Sequence, residues 1–433
     1  MANPNNSTTT CCECGASIPV NPGYTTWCDK CGWNLNPYGE ESNKDLSFRI
    51  YRYLGKKFSK KLLDSLLKKD LKEKYSTPAR PLAYALVGFI YLTNLILFLT
   101  LVIAGIFLFL RGTVFIKDIV EAVFVILGLL CLIMAYVIIP KYKKYENYPV
   151  KRDEYPNLYK LLDKIADNMG TKHIDRICID ESFNASYYQT FIKGERIITI
   201  GLPLFYILSN DERVALLSHE VAHGANSDIT RGRFVGGAYR LLINWQKILG
   251  PSNKIAEVGF IAIFYPVLMI MFPLRWLLWK YVEGIWFLLA ALIWRDNQRA
   301  EYLADFLASK AAGTEAMITL HKKIHFGDSF WSIMSDLTRY GYSKDLIADF
   351  KNRLSSIPER ELQRVERLDT ELLSSIDASH PPTVYRIRLM REYFNNKTVK
   401  LDDMEMKEIE EELKTLRSEI NFKLSSICRS YQG

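Results

Sequence analysis

His219-Glu220-Val221-Ala222-His223 decides the reading of this 433-residue chain. It has the form His-Glu-x-x-His, and its flanks carry helix signals. Ser209-Asn210-Asp211-Glu212 has the capping-box pattern, with Ser at the N-cap and Glu at N3. Val214, Leu217, Val221 and Ala222 follow at helical spacing, and Gly224 stands just after the second His. Residues four apart on a helix lie one above the other on the same face, so two imidazoles can converge on one Zn²⁺ at about 2.0–2.1 Å. Glu220, next to the first ligand, is placed to take a proton from a water activated by the metal. Chance alone yields three fixed positions in five on the order of once in a hundred chains of this length.

A catalytic zinc usually takes three protein ligands and leaves a position open. The best third ligand is Glu301, in Arg299-Ala300-Glu301-Tyr302-Leu303-Ala304-Asp305, where an amphipathic helix is expected to open after the last apolar segment. Asp305, one turn on, would accept a hydrogen bond from the outer nitrogen of a liganding His and so fix its tautomer. His321 and His325 are also four apart, but no Glu follows the first and two lysines lie between them. They read as a surface pair.

Of eight cysteines, five crowd the N-terminus, and Cys131, Cys178 and Cys428 stand alone. This is no disulfide framework, and it suits a reducing compartment. Cys11-x-x-Cys14 and Cys28-x-x-Cys31-Gly32 read as a zinc ribbon, a closed four-thiolate site in which metal replaces a hydrophobic core. Cys12 could replace Cys11 only by shortening its knuckle, and is left out. The 56 basic and 48 acidic residues give +8, too diffuse to imply nucleic acid, and one ribbon adds little to that case.

Residues 46 to 75 hold ten Lys or Arg against three acids, with Leu62, Leu63, Leu66, Leu67 and Leu71 at helical spacing. Either this is a basic amphipathic helix on an anionic membrane face, or a solvated helix packed on the soluble domain. Leu82 to Leu110 is free of formal charge, and Ala122 to Ile139 adds a second such run; both are long enough to span a bilayer. A second apolar pair follows: Val258 to Leu274, broken by Pro266 and Pro273, and Trp276 to Trp294, which contains Lys280 and Glu283. At mid-bilayer those two charges would each cost about 2.5–3.5 kcal/mol, so the last segment spans only with help or lies as a partly buried hairpin. Insertion is favoured. Basic residues before the first span and after the second place the N-terminus and the catalytic part in the cytosol. No cleavable signal peptide is visible. Elsewhere, residues 156 to 169 and 401 to 425 read as helices, and Arg176 to Asp180 and Arg196 to Ile200 as short strands.

Over roughly residues 80 to 395 this arrangement resembles the HtpX-like membrane zinc endopeptidases, relatives of the CAAX prenyl endopeptidases. The resemblance rests on two spans, His219-Glu220-x-x-His223, an apolar hairpin and Glu301-x-x-x-Asp305. Two shorter elements add to it, Phe183-Asn184-Ala185 and Ser379-His380-Pro381-Pro382 followed by Arg386-Ile387. It implies that an extended substrate pairs with the strand at Asn184, that Asn184 and His380 contact the reacting carbonyl, and that Arg386 supports the site. It implies a mainly α fold with a small β element, a zincin-like (gluzincin) integral membrane peptidase with about four membrane helices.

The expected organisation is a ribbon over 1–40, a basic linker or helix over 41–80 and a transmembrane hairpin over 81–140. The first part of the peptidase domain takes 141–255, the second apolar hairpin 256–295, and the rest of the peptidase and its C-terminal helices 296–433. Two zinc ions are expected, one catalytic and one structural. The expected partners are polypeptide substrates, membrane proteins among them, the lipid bilayer and a protein bound by the ribbon, with no nucleic acid. The location would be the cell membrane if the source is prokaryotic, and the role quality control or protein processing. The alternatives are a prenyl-peptide processing protease with the same chemistry and a non-proteolytic scaffold with structural zinc. An intact Glu220 argues against the scaffold, which needs no base.

Overall fold

The computed structural model describes residues 7–36, 46–68, 79–114, 119–139, 148–190, 194–225, 233–250, 272–324, 326–340, 345–372 and 380–430. These form two compact units. One comprises residues 1–74, 146–228 and 296–433, the other 75–145 and 229–295.

The larger unit begins with the ribbon, where β1 (Thr8–Thr10) pairs antiparallel with β2 (Ser17–Pro19). Its second sheet contains β3 (Tyr148–Val150), β4 (Arg176–Asp180), β5 (Ala185–Gln189) and β6 (Arg196–Gly201), in spatial order β3-β4-β6-β5. β4 and β6 run parallel, while β3 and β5 flank them antiparallel. β6, Arg-Ile-Ile-Thr-Ile-Gly, is buried along nearly its whole length, as a central strand covered on both faces must be. It ends at Gly201, where a Cβ would meet the Ser182 carbonyl oxygen, so only glycine admits the crossing chain. That crossing lets the Gly201 N–H donate to the Asn184 carbonyl at 2.8 Å and seats Asn184 at the head of β5.

The motif helix, Asn210–Ala225, lies at the centre of this unit. Its start is closed by reciprocal bonds: Ser209 N–H donates to Glu212 Oε2 at 2.7 Å, and Glu212 N–H to Ser209 Oγ at 3.4 Å. Lys323 Nζ donates to the same Glu212 carboxylate at 2.6 Å. Although Glu212 is largely buried, which opposes ionisation, the Lys323 ammonium and the Ser209 N–H keep its pKa below the usual range. Every residue from Glu212 to His223 is buried. Such a helix shows little amphipathic pattern because it has no solvent face. The core around it draws on Leu158, Leu162 and Ile165 of the helix Pro156–Asn168, on β4 and β6, and on Met317 and Leu320 of the helix Thr314–Ile324.

The smaller unit is built on an antiparallel hairpin of the helices Ala79–Val114 and Ile119–Ile138. The helix Arg233–Leu249 and the first part of the helix Phe272–Ala312 join it. Its core sets Val87 and Ile90 against Ala238, Leu241, Leu289 and Ile293. Trp245 Nε1 donates to Asn94 Oδ1 at 3.1 Å, and Tyr91 OH to the Phe234 carbonyl at 2.8 Å. The hairpin's outer face is apolar and open, with Ile103, Phe107 and Ile119 largely exposed. Lipid, not water, is the solvent such a surface matches.

Among the described residues three helices are long and apolar enough to cross a membrane: Ala79–Thr113, Ile119–Ile138 and Pro273–Ala312. The expected span Val258 to Leu274 lies almost wholly outside the described residues. In the third helix Lys280 Nζ lies 2.7 Å from Glu283 Oε2, so the two awkward charges satisfy each other. Glu301 does not open a new helix, because Phe272–Ala312 is a single uninterrupted 41-residue helix. No Pro or Gly follows Gly284 to break it before Gly313. The expected helix over 401 to 425 is likewise two, Asp403–Glu412 and Lys414–Ser430.

Candidate metal centre

The motif helix and the helix Phe272–Ala312 bring together side chains far apart in sequence. His219 Nε2 and His223 Nε2 stand 3.1 Å apart, and each lies 3.5 Å from an oxygen of Glu301. Donors about 2.05 Å from a tetrahedral ion would stand ~3.3 Å from one another. The three groups therefore fit a zinc ion in spacing, in donor chemistry and in burial, all being buried. Glu220 is also buried and sits on the same helix, one residue after the first imidazole.

A layer of charge backs the cluster. His219 Nδ1 lies 3.0 Å from Asp305 Oδ1, which turns its Nε2 toward Glu301 and His223. Arg386, on the helix Thr383–Glu392, grips Asp305 with both arms of its guanidinium: Nε donates to Oδ2 at 2.7 Å and NH2 to Oδ1 at 2.6 Å. Burial opposes a charge on His219, yet the Asp305 and Glu301 carboxylates reverse this and lift its pKa to about 9. Burial likewise opposes the charge on Arg386, and Asp305 holds its pKa above the ordinary value.

His380 is half-exposed, and its Nδ1 is 2.7 Å from Glu301 Oε2, which places it at the ligand cluster. Asn184 is exposed at the start of β5. β5 pairs with β6 on one side and, among the described residues, with no strand on the other. The bonds Gly201 N–H to Asn184 O and Thr190 N–H to Glu195 O fix which residues face β6. By antiparallel alternation the backbone groups of Ala185, Tyr187 and Gln189 point to the open edge. The Tyr187 ring packs against Gly224, at the end of the motif helix.

His321 corrects the sequence reading, which had placed it on the surface. It is buried, and its Nε2 lies 3.2 Å from Asp305 Oδ1, the oxygen that also faces His219. Burial, with the Arg386 cation nearby, pushes its pKa down to about 4, so the imidazole is neutral. The signal that could have found it is periodicity: Met317, Ile318 and His321 share the buried face of their helix. His325, its expected partner, lies outside the described residues.

The ribbon forms the second cluster. Cys11, Cys14, Cys28 and Cys31 converge, with Sγ–Sγ distances of 3.6 Å for Cys11–Cys31 and for Cys14–Cys28. Tetrahedral zinc with Zn–S bonds of about 2.3 Å would set sulfurs ~3.8 Å apart. The knuckles repeat one design. Gly15 N–H donates to the Cys11 carbonyl and Gly32 N–H to that of Cys28, both glycines having positive φ. The Cys31 and Lys30 backbone N–H groups bring Cys28 down to about 7. Cys31 gains a bond from Trp33, but desolvation and its cysteine neighbours push it up to about 12. Four sulfurs so close together could all be thiolates only around a cation.

A feature the sequence reading missed holds the ribbon in place. On the helix Glu359–Leu372, Arg360 donates to the Trp27 carbonyl at 2.6 Å and Arg364 to that of Leu35 at 2.7 Å, while Arg367 bonds that of Asp29. The Arg360 guanidinium also stacks over the Trp27 ring, 5.0 Å from its centroid.

A family profile described as Peptidase family M48 matches residues 153–393. The chain belongs to peptidase family M48. The matched stretch contains His219, His223, Glu301, His321, His380 and Arg386, and it leaves the ribbon outside. Among similar proteins is "Protease HtpX homolog" of Pyrobaculum islandicum, 24% identical over 253 residues, 54% of this chain and 67% of the relative. "Protease HtpX homolog 1" of Sulfurisphaera tokodaii is 26% identical over 263 residues, 56% of this chain and 76% of the relative. A bacterial relative, "Protease HtpX" of Pseudomonas syringae pv. tomato, is 26% identical over 219 residues, 49% of this chain and 70% of the relative. No solved structure matches the chain significantly. The M48 peptidase region thus sits in a chain with apolar helices of membrane-spanning length, beside a cysteine cluster of zinc-ribbon form.

Proposed function

We propose that this M48 chain is a membrane-bound, zinc-dependent endopeptidase with a cytosol-facing active site, serving membrane-protein quality control or protein processing. The observation that carries the reading is the buried convergence of His219, His223 and Glu301 in front of Asp305 and Arg386. His219, His223 and Glu301 would hold the catalytic Zn²⁺, and Cys11, Cys14, Cys28 and Cys31 the structural one. Bound zinc supplies Lewis acidity, lowering the pKa of water towards about 7 and polarising a carbonyl. Glu220 takes the proton of the attacking water and returns it to the departing amine. Asp305, clamped by Arg386, keeps the proton of His219 on Nδ1 and so leaves Nε2 free to bind metal. His380 and Asn184 contact the reacting carbonyl and share the charge that develops on its oxygen. Substrate lies extended along the open edge of β5, so recognition is largely through backbone groups.

The test is cleavage of an unfolded casein-like substrate by the purified full-length protein, with and without a chelator. Chelator-sensitive cleavage is expected. A zinc-loaded protein with no such activity would sink the proposal. Orientation is tested in sealed right-side-out vesicles, where the ribbon should resist added protease until the membrane is breached.

A further inference from the structure

The helix Leu46–Leu66 is not used by the peptidase chemistry, and its two faces differ sharply. Gly55, Ser59, Leu62, Leu63 and Leu66 are buried, so the leucine stripe is turned into protein rather than lipid. Opposite this stripe, at 100° per residue, lie Tyr53, Lys57 and Lys61, while Lys60 and Lys56 step round one flank towards it, all exposed. Lys68 continues the same side just beyond the helix, and Asp64 is the one acid among them. Among the described residues none of the four helical lysines pairs with a carboxylate. Ten residues of chain, a reach of at most ~40 Å, separate Lys68 from Ala79, where the first apolar helix begins.

We propose that this lysine face docks on the anionic headgroups of the bilayer in which the same chain is anchored. Charge and tether argue for it together. Clustered lysines are attracted to an anionic surface nearby, and the attraction acts only within a Debye length of about 8 Å. The covalent tether confines the helix to the neighbourhood of the first apolar helix, which raises its effective concentration at such a surface. Tyr53 lies in the middle of the lysine face, and an aromatic ring with a polar tip suits the headgroup layer. Docking is electrostatic, without insertion of the leucines, so it should be reversed by salt and by neutral lipid.

The experiment uses the full-length protein in nanodiscs of phosphatidylcholine alone or mixed equally with phosphatidylglycerol. Amine-reactive labelling of Lys56, Lys57, Lys60 and Lys61 is followed by mass spectrometry and normalised to the protein in detergent. Labelling in the anionic discs is expected to be slowed roughly threefold or more, and restored at about 0.5 M NaCl. Tyr53→Trp should report the same event as a blue-shifted emission in anionic discs only. The shift should vanish when the four lysines are replaced by Gln, a change that leaves cleavage of a soluble peptide in detergent unaltered. Equal labelling in both discs overturns the proposal: fast in both means a solvated face, slow in both a protein neighbour.

Discussion

The ribbon and the peptidase centre gather metal donors by opposite means. In the ribbon the outer two cysteines are only twenty positions apart, and backbone turns at Gly15 and Gly32 aim the sulfurs. In the peptidase centre His380 meets Glu301 across seventy-nine positions and Arg386 meets Asp305 across eighty-one. There the aim comes from tertiary packing and a buried network of opposite charges. A site of the first kind would depend on a bound ion for its order; one of the second kind is held by the fold, and a bound ion would add chemistry to it. Loss of metal should therefore cost the ribbon its structure and the peptidase centre its activity.

The sharpest test of that contrast leaves both ions in place. Glu220→Gln should retain two zinc ions per chain by metal analysis and lower turnover by several orders of magnitude, since the ligands survive and the proton acceptor does not. Retention of more than about a tenth of the activity removes Glu220 from the role of base. Next in size is Glu301→Ala, which should lose one zinc under mild chelation while the ribbon keeps the other. Metal held as tightly as in the wild type would mean another third ligand. Asp305→Ala acts through His219 and should weaken the catalytic zinc about 10–100-fold in competition with a chelator. His321→Ala should fall at the lower end, about tenfold, because His321 touches Asp305 and not the ligands. Wild-type metal affinity would show its contact with Asp305 to be packing alone. The smallest effect on catalysis is expected from Cys28→Ser with Cys31→Ser. One zinc should go and limited proteolysis of the N-terminus should rise, while cleavage of a small peptide stays within about twofold.

What could be read from sequence follows the same division. The ribbon and the His219–His223 pair were legible because their geometry is local, set by turns and by the helical repeat. Glu301 and Asp305 were legible only beside that pair, since a Glu and an Asp four apart are ordinary on a solvated helix face. His321 was misread because the lysines after it suggested a surface, while its register with Met317 and Ile318 carried the true signal. The three arginines that grip the ribbon form a helical stripe, yet nothing local says that their partners are the carbonyls of Trp27, Asp29 and Leu35. Backbone acceptors leave no mark on a sequence. The unbroken course of the helix Phe272–Ala312 was hidden by its change of composition, apolar before Trp294 and charged after it.

The open edge of β5 has a further consequence if substrates lie along it. Ala185, Tyr187 and Gln189 offer main-chain groups, which every polypeptide can meet, so what such an edge tells apart is not one sequence from another. It separates chain already committed to its own hydrogen bonds from chain that is not. Cleavage then follows the fraction of time a client segment spends open, a property of the client's thermodynamics. Each 1.4 kcal/mol of local stability lost by a client should raise its cleavage about tenfold, with no change in any contact the enzyme makes.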